Sequence, residues 1–244
     1  MPGNDDGQVI WFVGAGPGDP ELITVKGRAL LDTADVLLYA GSLVNPALVA
    51  SCPAAERVDS WGMHLDDMVS LMTERVKQGK TVVRLHSGDP ALYGSIVEQI
   101  AELKKRQIAV RIVPGVSSVF AAAAALNTEY TPRGVSDTLI ITRPAGKTLE
   151  KDSIAELSQY PATMAFFLGS EHFADITEKL ACTRETPAAV VYHASWSDER
   201  IITGTVADIA GKAMDAGITR SALLIVGQAV RGIDSGYQRS HLYS

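Results

Sequence analysis

The sequence has few of the residues that hold small secreted proteins or metal sites together. Only two cysteines, Cys52 and Cys182, occur in 244 residues, and they form no C-x-x-C pair. The five histidines are scattered without the spacing of metal ligands. Neither a disulfide framework nor a structural metal is therefore indicated.

Long apolar runs are also missing. The longest, around residues 119–126, is far shorter than the roughly 18 residues that span a bilayer. The first residues lack the basic and then apolar pattern of a signal peptide, so we expect a soluble cytoplasmic protein without a membrane partner. The formal net charge of −6 argues against a nucleic-acid partner, which usually requires a basic face.

The apolar content, 46%, is ample for one large domain or two ordinary ones. Short β-branched runs alternate with amphipathic stretches, which predicts an α/β fold with mainly parallel sheets. Pro132 and Gly134 break the periodicity after a helical stretch. We therefore expect two α/β domains, residues 1–126 and 127–244, with the active-site cleft between them. The predicted strands are 9–13, 36–39, 81–86, 109–113, 138–142, 163–168, 188–193, 201–203 and 222–226.

The stretch "VGAGPGDPEL", residues 13–22, looks like the turn that opens a dinucleotide-binding fold. Gly14 and Gly16 fit that fingerprint, but Asp19 stands where the third glycine belongs. The carboxylates of Asp19 and Glu21 at the mouth of the loop would repel a phosphate. A phosphate site is therefore disfavoured, and a purely structural strand-to-helix turn remains an alternative.

Three further stretches end predicted strands with small residues: "LHSGDPALYG" (85–94), "VPGVSS" (113–118) and "VVYHAS" (190–195). Ligands of open α/β sheets bind at the carboxyl ends of strands. Asp89 could receive ribose hydroxyls, or it could brace an Asx turn. The N–H groups that follow Ser117 and Ser118 suit a carboxylate, although simple N-capping explains these serines equally well.

These stretches, in this order, resemble the tetrapyrrole methylase family, and "TMAFFLG", "PAAVVYHAS" and "LLIVG" extend the likeness over nearly the whole chain. "YAGSLV" (39–44), "VSSVFAAAAAL" (116–126) and "SDTLIITR" (136–143) are similar to one branch, the precorrin-4 C11-methyltransferases of cobalamin biosynthesis. The resemblance implies two α/β domains that bind S-adenosylmethionine, methylation of a tetrapyrrole ring carbon, and a homodimer. It also implies that the loop with Pro17 borders the cleft.

Carried over position by position, the resemblance implies a set of cofactor contacts: Pro17, Ser87, Gly88, Asp89, Leu92, Ser117, Ser118, Leu168, Ala194, Ala222 and Leu223. The substrate carries acetate and propionate groups, so arginines at the rim are expected to meet them. The candidate substrate-binding residues are Asp19, Tyr39, Ser42, Arg84, Arg133 and Arg143. Each arginine could equally be a solvated surface charge.

A base for the ring proton is not identified, and no catalytic residue is assigned. Asp19, Tyr39 and His86 are candidates by position, although His86 ends an apolar strand and fits a core role better. Other readings stay open: a cobalt-precorrin-4 enzyme, a C2, C17 or C20 tetrapyrrole methylase, a relative that modifies ribosomal RNA or an elongation factor, or a non-catalytic module for a nucleotide-like ligand.

Overall fold

A computed structural model of the chain describes residues 9–235. The chain divides into two compact units, and the division falls between Ser117 and Ser118. Each unit contains one five-stranded sheet, with helices on its faces. The α/β class expected from the sequence is confirmed.

The sheet of the first unit is entirely parallel. Its strands lie in the order β3-β2-β4-β1-β5. Their bounds are β1 Val9–Gly14, β2 Val36–Tyr39, β3 Glu56–Asp59, β4 Val82–His86 and β5 Ala109–Val113. Every side chain of β4 is buried, as expected for a central strand that is covered on both faces. Four of the five strands match the prediction, and β3 was missed.

Four helices cover this sheet: α1 Val25–Asp32, α2 Pro46–Ser51, α3 Leu65–Lys77 and α4 Ile96–Lys105. Leu31 of α1 and Leu48 of α2 pack on one face, whereas Met72 of α3 and Leu103 of α4 pack on the other. The hydroxyl of Thr24 accepts a hydrogen bond from the Gly27 amide and so caps α1.

The sheet of the second unit is mixed, and the prediction of a mainly parallel sheet is wrong here. The strand order is β6-β7-β10-β8-β9, and only β6 and β7 run parallel. The strands are β6 Leu139–Thr142, β7 Thr163–Phe166, β8 Pro187–Tyr192, β9 Arg200–Thr205 and β10 Ala222–Val226. A short loop joins β8 to β9, and a parallel pair would need a longer crossover there.

The helices of the second unit are α5 Ser118–Ala125, α6 Ile154–Leu157, α7 Phe173–Lys179 and α8 Ile209–Asp215. α6, α7 and α8 pack on one face of the sheet, and α5 packs on the other, against Ala165, Val191 and Leu223. This packing places α5 in the second unit, whereas the expected boundary at residue 126 put it in the first. Short 3-10 segments lie at Pro20–Leu22, Gly41–Leu43 and Gln228–Ser235.

Within residues 9–235, no helix is long and apolar enough to cross a membrane. The same residues contain no group of three or more histidine, cysteine, aspartate or glutamate side chains that could hold a metal ion. Cys52 and Cys182 are both free thiols.

Candidate functional site

Three glycines meet where β1, β4 and β5 end. A methyl group on Gly14 would lie 2.5 Å from the Cα of Gly115, and one on Gly115 would lie 2.2 Å from the carbonyl oxygen of Gly88. Both distances are far below van der Waals contact, and the obstructing atoms belong to the backbone. The three loops therefore pack main chain against main chain, and a residue with a side chain at Gly14 or Gly115 would force them apart.

The loop after β1 is pinned to the loop after β4. The amide of Gly88 donates to the Gly16 carbonyl at 2.8 Å, the Gly16 amide donates back at 3.3 Å, and the Ala15 amide donates to the His86 carbonyl at 2.7 Å. These amides are already occupied within the protein, so they are not a free cradle for phosphate. The geometry agrees with the sequence argument against a phosphate site.

Asp89 joins two of these loops through its half-buried side chain. Its Oδ1 accepts from the Ala91 amide at 2.7 Å, and its Oδ2 accepts from the Gly115 amide at 2.8 Å. The brace role that the sequence left open is therefore present. A carboxylate oxygen has more than one lone pair, so these two bonds leave acceptor capacity for a ligand hydroxyl.

The remaining cofactor positions of this unit differ in exposure. Pro17 and Ser117 are buried, whereas Ser87 and Leu92 are half-buried. The Leu92 amide donates to the Asp89 carbonyl at 3.2 Å, which continues the turn after β4. Ser118, which begins α5, belongs to the second unit.

Three proposed substrate residues lie in loops of the first unit. The carboxylate of Asp19 accepts from the Glu21 amide at 2.9 Å and so caps the short Pro20–Leu22 turn. Tyr39 is half-buried at the end of β2, and its carbonyl accepts from the Ser60 amide at 2.7 Å. Ser42 stands in the turn Gly41–Leu43, but its side chain lies outside the described part of the structure.

In the second unit, the predicted cofactor positions share one edge of the sheet, at the ends of β7 and β8 and the start of β10. Leu168 is 63% exposed and has a φ of 54°, in the left-handed region. Ala194, Ala222 and Leu223 are buried. The hydroxyl of Ser170 lies 3.1 Å from both the nitrogen and the oxygen of Ala222, and it holds the loop after β7 against β10.

A cluster beside Ala194 was not singled out from the sequence. The His193 ring stacks on Tyr192 at 3.9 Å and on Trp196 at 4.9 Å, and its Nδ1 lies 2.9 Å from Asp198 Oδ1. The hydrogen bond from His193 lowers the pKa of Asp198. In the sequence, the run "YHASWSD" predicts only a turn, because a single histidine among turn-forming residues does not match a known functional motif.

The three proposed substrate arginines lie in different surroundings. Arg133 is exposed, and Arg143 follows β6, where it donates to the hydroxyl of Thr148 at 2.7 Å and to its carbonyl at 3.0 Å. Arg84 is only 5% exposed. The sequence analysis expected Arg84 at an exposed rim, and this expectation is wrong. β4 is a central strand, and helices cover the face to which the Arg84 side chain points.

His86 lies on the same face of β4 as Arg84. It is 7% exposed, and its ring stacks on Phe12 with centroids 5.6 Å apart. Burial, with a smaller contribution from the positive charge of Arg84, lowers the pKa of His86 to about 3. The imidazole is therefore neutral at pH 7, in agreement with the core role that the sequence favoured.

This burial predicts a dependence of stability on pH. Because the folded pKa lies below the unfolded value of about 6.5, the stabilisation is full above pH 6.5 and is lost as the pH falls toward 3. Between pH 7 and 5, wild type should lose about 1–2 kcal/mol more of its free energy of unfolding than His86→Phe. Urea titrations measure this, with His172→Gln at an exposed histidine as control. Parallel losses in all three proteins would contradict the assignment.

Comparison with known proteins places these features in one family. Residues 9–210 match the model of the Tetrapyrrole (Corrin/Porphyrin) Methylases. The chain is 49% identical to the cobalt-precorrin-4 C(11)-methyltransferase of Methanocaldococcus jannaschii, over 98% of this chain and 94% of that protein.

Two solved structures extend the likeness to three dimensions. The cobalt precorrin-4 methyltransferase CbiF, a cobalamin biosynthetic enzyme, superposes with a TM-score of 0.90 at 42% identity, over 94% of this chain and 99% of that one. The uroporphyrin-III C-methyltransferase of Thermus thermophilus, solved in complex with S-adenosylhomocysteine, gives a TM-score of 0.80 at 28% identity, over 91% and 98% of the two chains.

Proposed function

The chain belongs to the tetrapyrrole methylase family, and from this premise we propose that it transfers the methyl group of S-adenosylmethionine to C11 of precorrin-4 in cobalamin biosynthesis. The observation that carries the proposal is the 49% identity to a C11-methyltransferase over 98% of this chain. The loops after β1 and β4 agree with it, because the amides of Ala15, Gly16 and Gly88 are bonded within the protein and form no cradle for a phosphate.

S-Adenosylmethionine supplies an electrophilic methyl group on a sulfonium that is already a good leaving group. The protein's task is then to position the reactants and to exclude water. In the first unit, Asp89 has acceptor capacity for a ribose hydroxyl, next to the backbone of Gly88. In the second unit, Ala194 and Ala222 carry short side chains, which suits ligand contacts to the backbone, and the exposed Leu168 adds an apolar side chain to the same edge.

The remaining proposed cofactor contacts are Pro17, Ser87, Leu92, Ser117, Ser118 and Leu223. The substrate carboxylates are assigned to Arg133 and Arg143, because a guanidinium can hold a carboxylate with two parallel hydrogen bonds. Asp19, Tyr39 and Ser42 complete the proposed substrate set. As proton acceptors, Asp19 and Tyr39 are better placed than His86, which is buried.

A second candidate substrate is the cobalt form of precorrin-4. The names of the Methanocaldococcus relative and of CbiF specify that form, and this favours it. Turnover of metal-free precorrin-4 and of cobalt-precorrin-4 by the same preparation, followed by mass spectrometry, decides which is methylated.

Binding of the cofactor product tests the proposal at its first step. The purified chain should bind S-adenosylhomocysteine in calorimetry and should not bind NAD, because the amides of Ala15, Gly16 and Gly88 are already bonded within the protein. Binding of NAD without binding of S-adenosylhomocysteine would contradict the proposal and would favour a nucleotide-binding module.

We also infer a cytoplasmic homodimer. The family resemblance implies the dimer, and twofold symmetry is the commonest arrangement of soluble oligomers. Light scattering at micromolar concentration should give twice the mass of the 26.0 kDa chain. A mass equal to that of one chain would contradict this inference.

A further inference from the structure

Arg84 is a buried cation that lies between the first turns of two helices. Its Nε lies 3.4 Å from Gln99 Oε1, the fourth residue of α4, and its Nη2 lies 4.0 Å from Met68 Sδ, the fourth residue of α3. Among the described residues, the buried Nη1 has no hydrogen-bond partner. A donor in that position normally has one, since an unsatisfied buried polar group is costly.

The guanidinium of Arg84 has no carboxylate in direct contact. No side chain within residues 9–235 forms an ion pair with it, and the attraction of Asp59 acts only from a distance. Burial lowers the pKa of Arg84 to about 10, so the side chain is still charged at pH 7. A buried charge without a partner is destabilising unless a ligand compensates it.

The first turns of α3 and α4 both reach Arg84, through Met68 and Gln99. His64 and Ser95, the residues at the N-caps of α3 and α4, make no side-chain capping hydrogen bond. The N-terminus of a helix carries a partial positive charge and free amides. The acidic residues of the first turns, Asp66, Asp67 and Glu98, are exposed, so water screens their charges.

His86 supplies a second polar atom without a partner. Its buried Nε2 makes no hydrogen bond within the described residues, and its ring lies on the same face of β4, two residues beyond Arg84. The strand thus presents two unsatisfied polar groups in succession toward its carboxyl end, where the ligands of parallel sheets bind.

We propose that Arg84, His86 and the N-termini of α3 and α4 form an anion subsite that takes one carboxylate of the tetrapyrrole substrate. The proposal rests on the proposed function and adds to it a buried contact for one acetate or propionate side chain. A monovalent carboxylate matches the single buried cation, and its two oxygens can accept from the guanidinium and from a helix amide. The subsite lets an acidic protein hold an acidic substrate where solvent does not screen the attraction.

The test compares Arg84→Met and Arg84→Lys with wild type, and uses Arg106→Met as the matched control. Arg106 lies just beyond the opposite end of α4 and pairs with Glu102. We expect Arg84→Met to raise the KM for precorrin-4 by about tenfold or more, with Arg84→Lys intermediate. Affinity for S-adenosylhomocysteine should stay within about twofold, because independent sites do not couple strongly.

Stability gives a second readout that does not depend on turnover. If Arg84 is held for a ligand, replacing it with methionine removes an uncompensated charge, and the unfolding midpoint of the ligand-free protein should stay the same or rise. A merely structural arginine would instead lower the midpoint and leave KM unchanged, and that pattern overturns the subsite. If Arg84→Met does not fold, an unchanged KM for precorrin-4 in Arg84→Lys likewise overturns the subsite.

A stable porphyrin separates failure of the subsite from failure of the proposed function. Binding of uroporphyrin III, which carries the same acetate and propionate groups, is measured by its fluorescence. We expect weaker binding to Arg84→Met than to wild type or Arg106→Met. Equal binding to all three, or none to wild type, overturns the subsite. A wild type that binds uroporphyrin III in the expected order but methylates no precorrin-4 contradicts the reaction and leaves the subsite standing.

Discussion

Gly115→Ala is expected to abolish measurable binding of S-adenosylhomocysteine and to lower the free energy of unfolding by about 3 kcal/mol. The added methyl group would lie 2.2 Å from the Gly88 carbonyl oxygen and 2.8 Å from the Cα of Gly14. Both obstructions are backbone, so the loops after β1, β4 and β5 must separate to admit it. Calorimetry and urea unfolding measure the two effects.

Gly211→Ala is the matched control. A methyl group at this position in α8 meets nothing within 4 Å. Because alanine favours helix more than glycine, this variant should gain about 0.5–1 kcal/mol and should bind the ligand like wild type. Normal binding by Gly115→Ala would show that the close approach of the three glycines has no part in holding the cofactor.

Asp89→Ala should weaken binding of S-adenosylhomocysteine by about tenfold or more, since a hydrogen bond to a charged group contributes about 1.5–3 kcal/mol. The substitution leaves the amides of Ala91 and Gly115 without their acceptor, and it releases the loop after β4 from the loop after β5. Asp89→Asn keeps one acceptor oxygen, so its affinity for S-adenosylhomocysteine should fall between those of wild type and Asp89→Ala. Calorimetry on the folded variants measures all three affinities.

Asp208→Ala controls for the loss of a carboxylate that braces a turn. Asp208 accepts from the Thr205 amide at 2.7 Å and pairs with Lys212, in a part of the second unit that has no proposed ligand contact. It should leave the affinity unchanged. If Asp89→Ala also binds like wild type, neither the brace that Asp89 forms nor a contact of its carboxylate contributes to cofactor binding.

Apolar runs in the sequence predicted most of the strands, because the central strands of each sheet are buried and therefore consist mainly of apolar residues. The bounds of β2 and β5 agree with the prediction at both ends, since each is a short, mainly apolar run with turn residues after it. Strand β3 was missed because three of its four residues, "ERVD", are charged, so no apolar alternation is visible. The antiparallel pairs of the second sheet were missed because the order of elements does not determine strand direction.

The glycines of the candidate site were visible in the sequence, but their contacts were not. Gly14, Gly88 and Gly115 stand far apart along the chain, and only the parallel order of β4, β1 and β5 brings them together. The burial of Arg84 also depends on topology. Arginine is usually exposed, yet Arg84 shares one face with Val82 and His86 on a strand that is covered on both faces.

The measurement that tests the central claim most directly is the position of the transferred methyl group. The protein is incubated with precorrin-4, or with its cobalt form, and with S-adenosylmethionine labelled with carbon-13 at the methyl group. NMR of the isolated product should show one labelled methyl on C11, with S-adenosylhomocysteine formed in equal amount. A labelled methyl on another ring carbon, or no transfer by a protein that binds S-adenosylhomocysteine, would contradict the assignment.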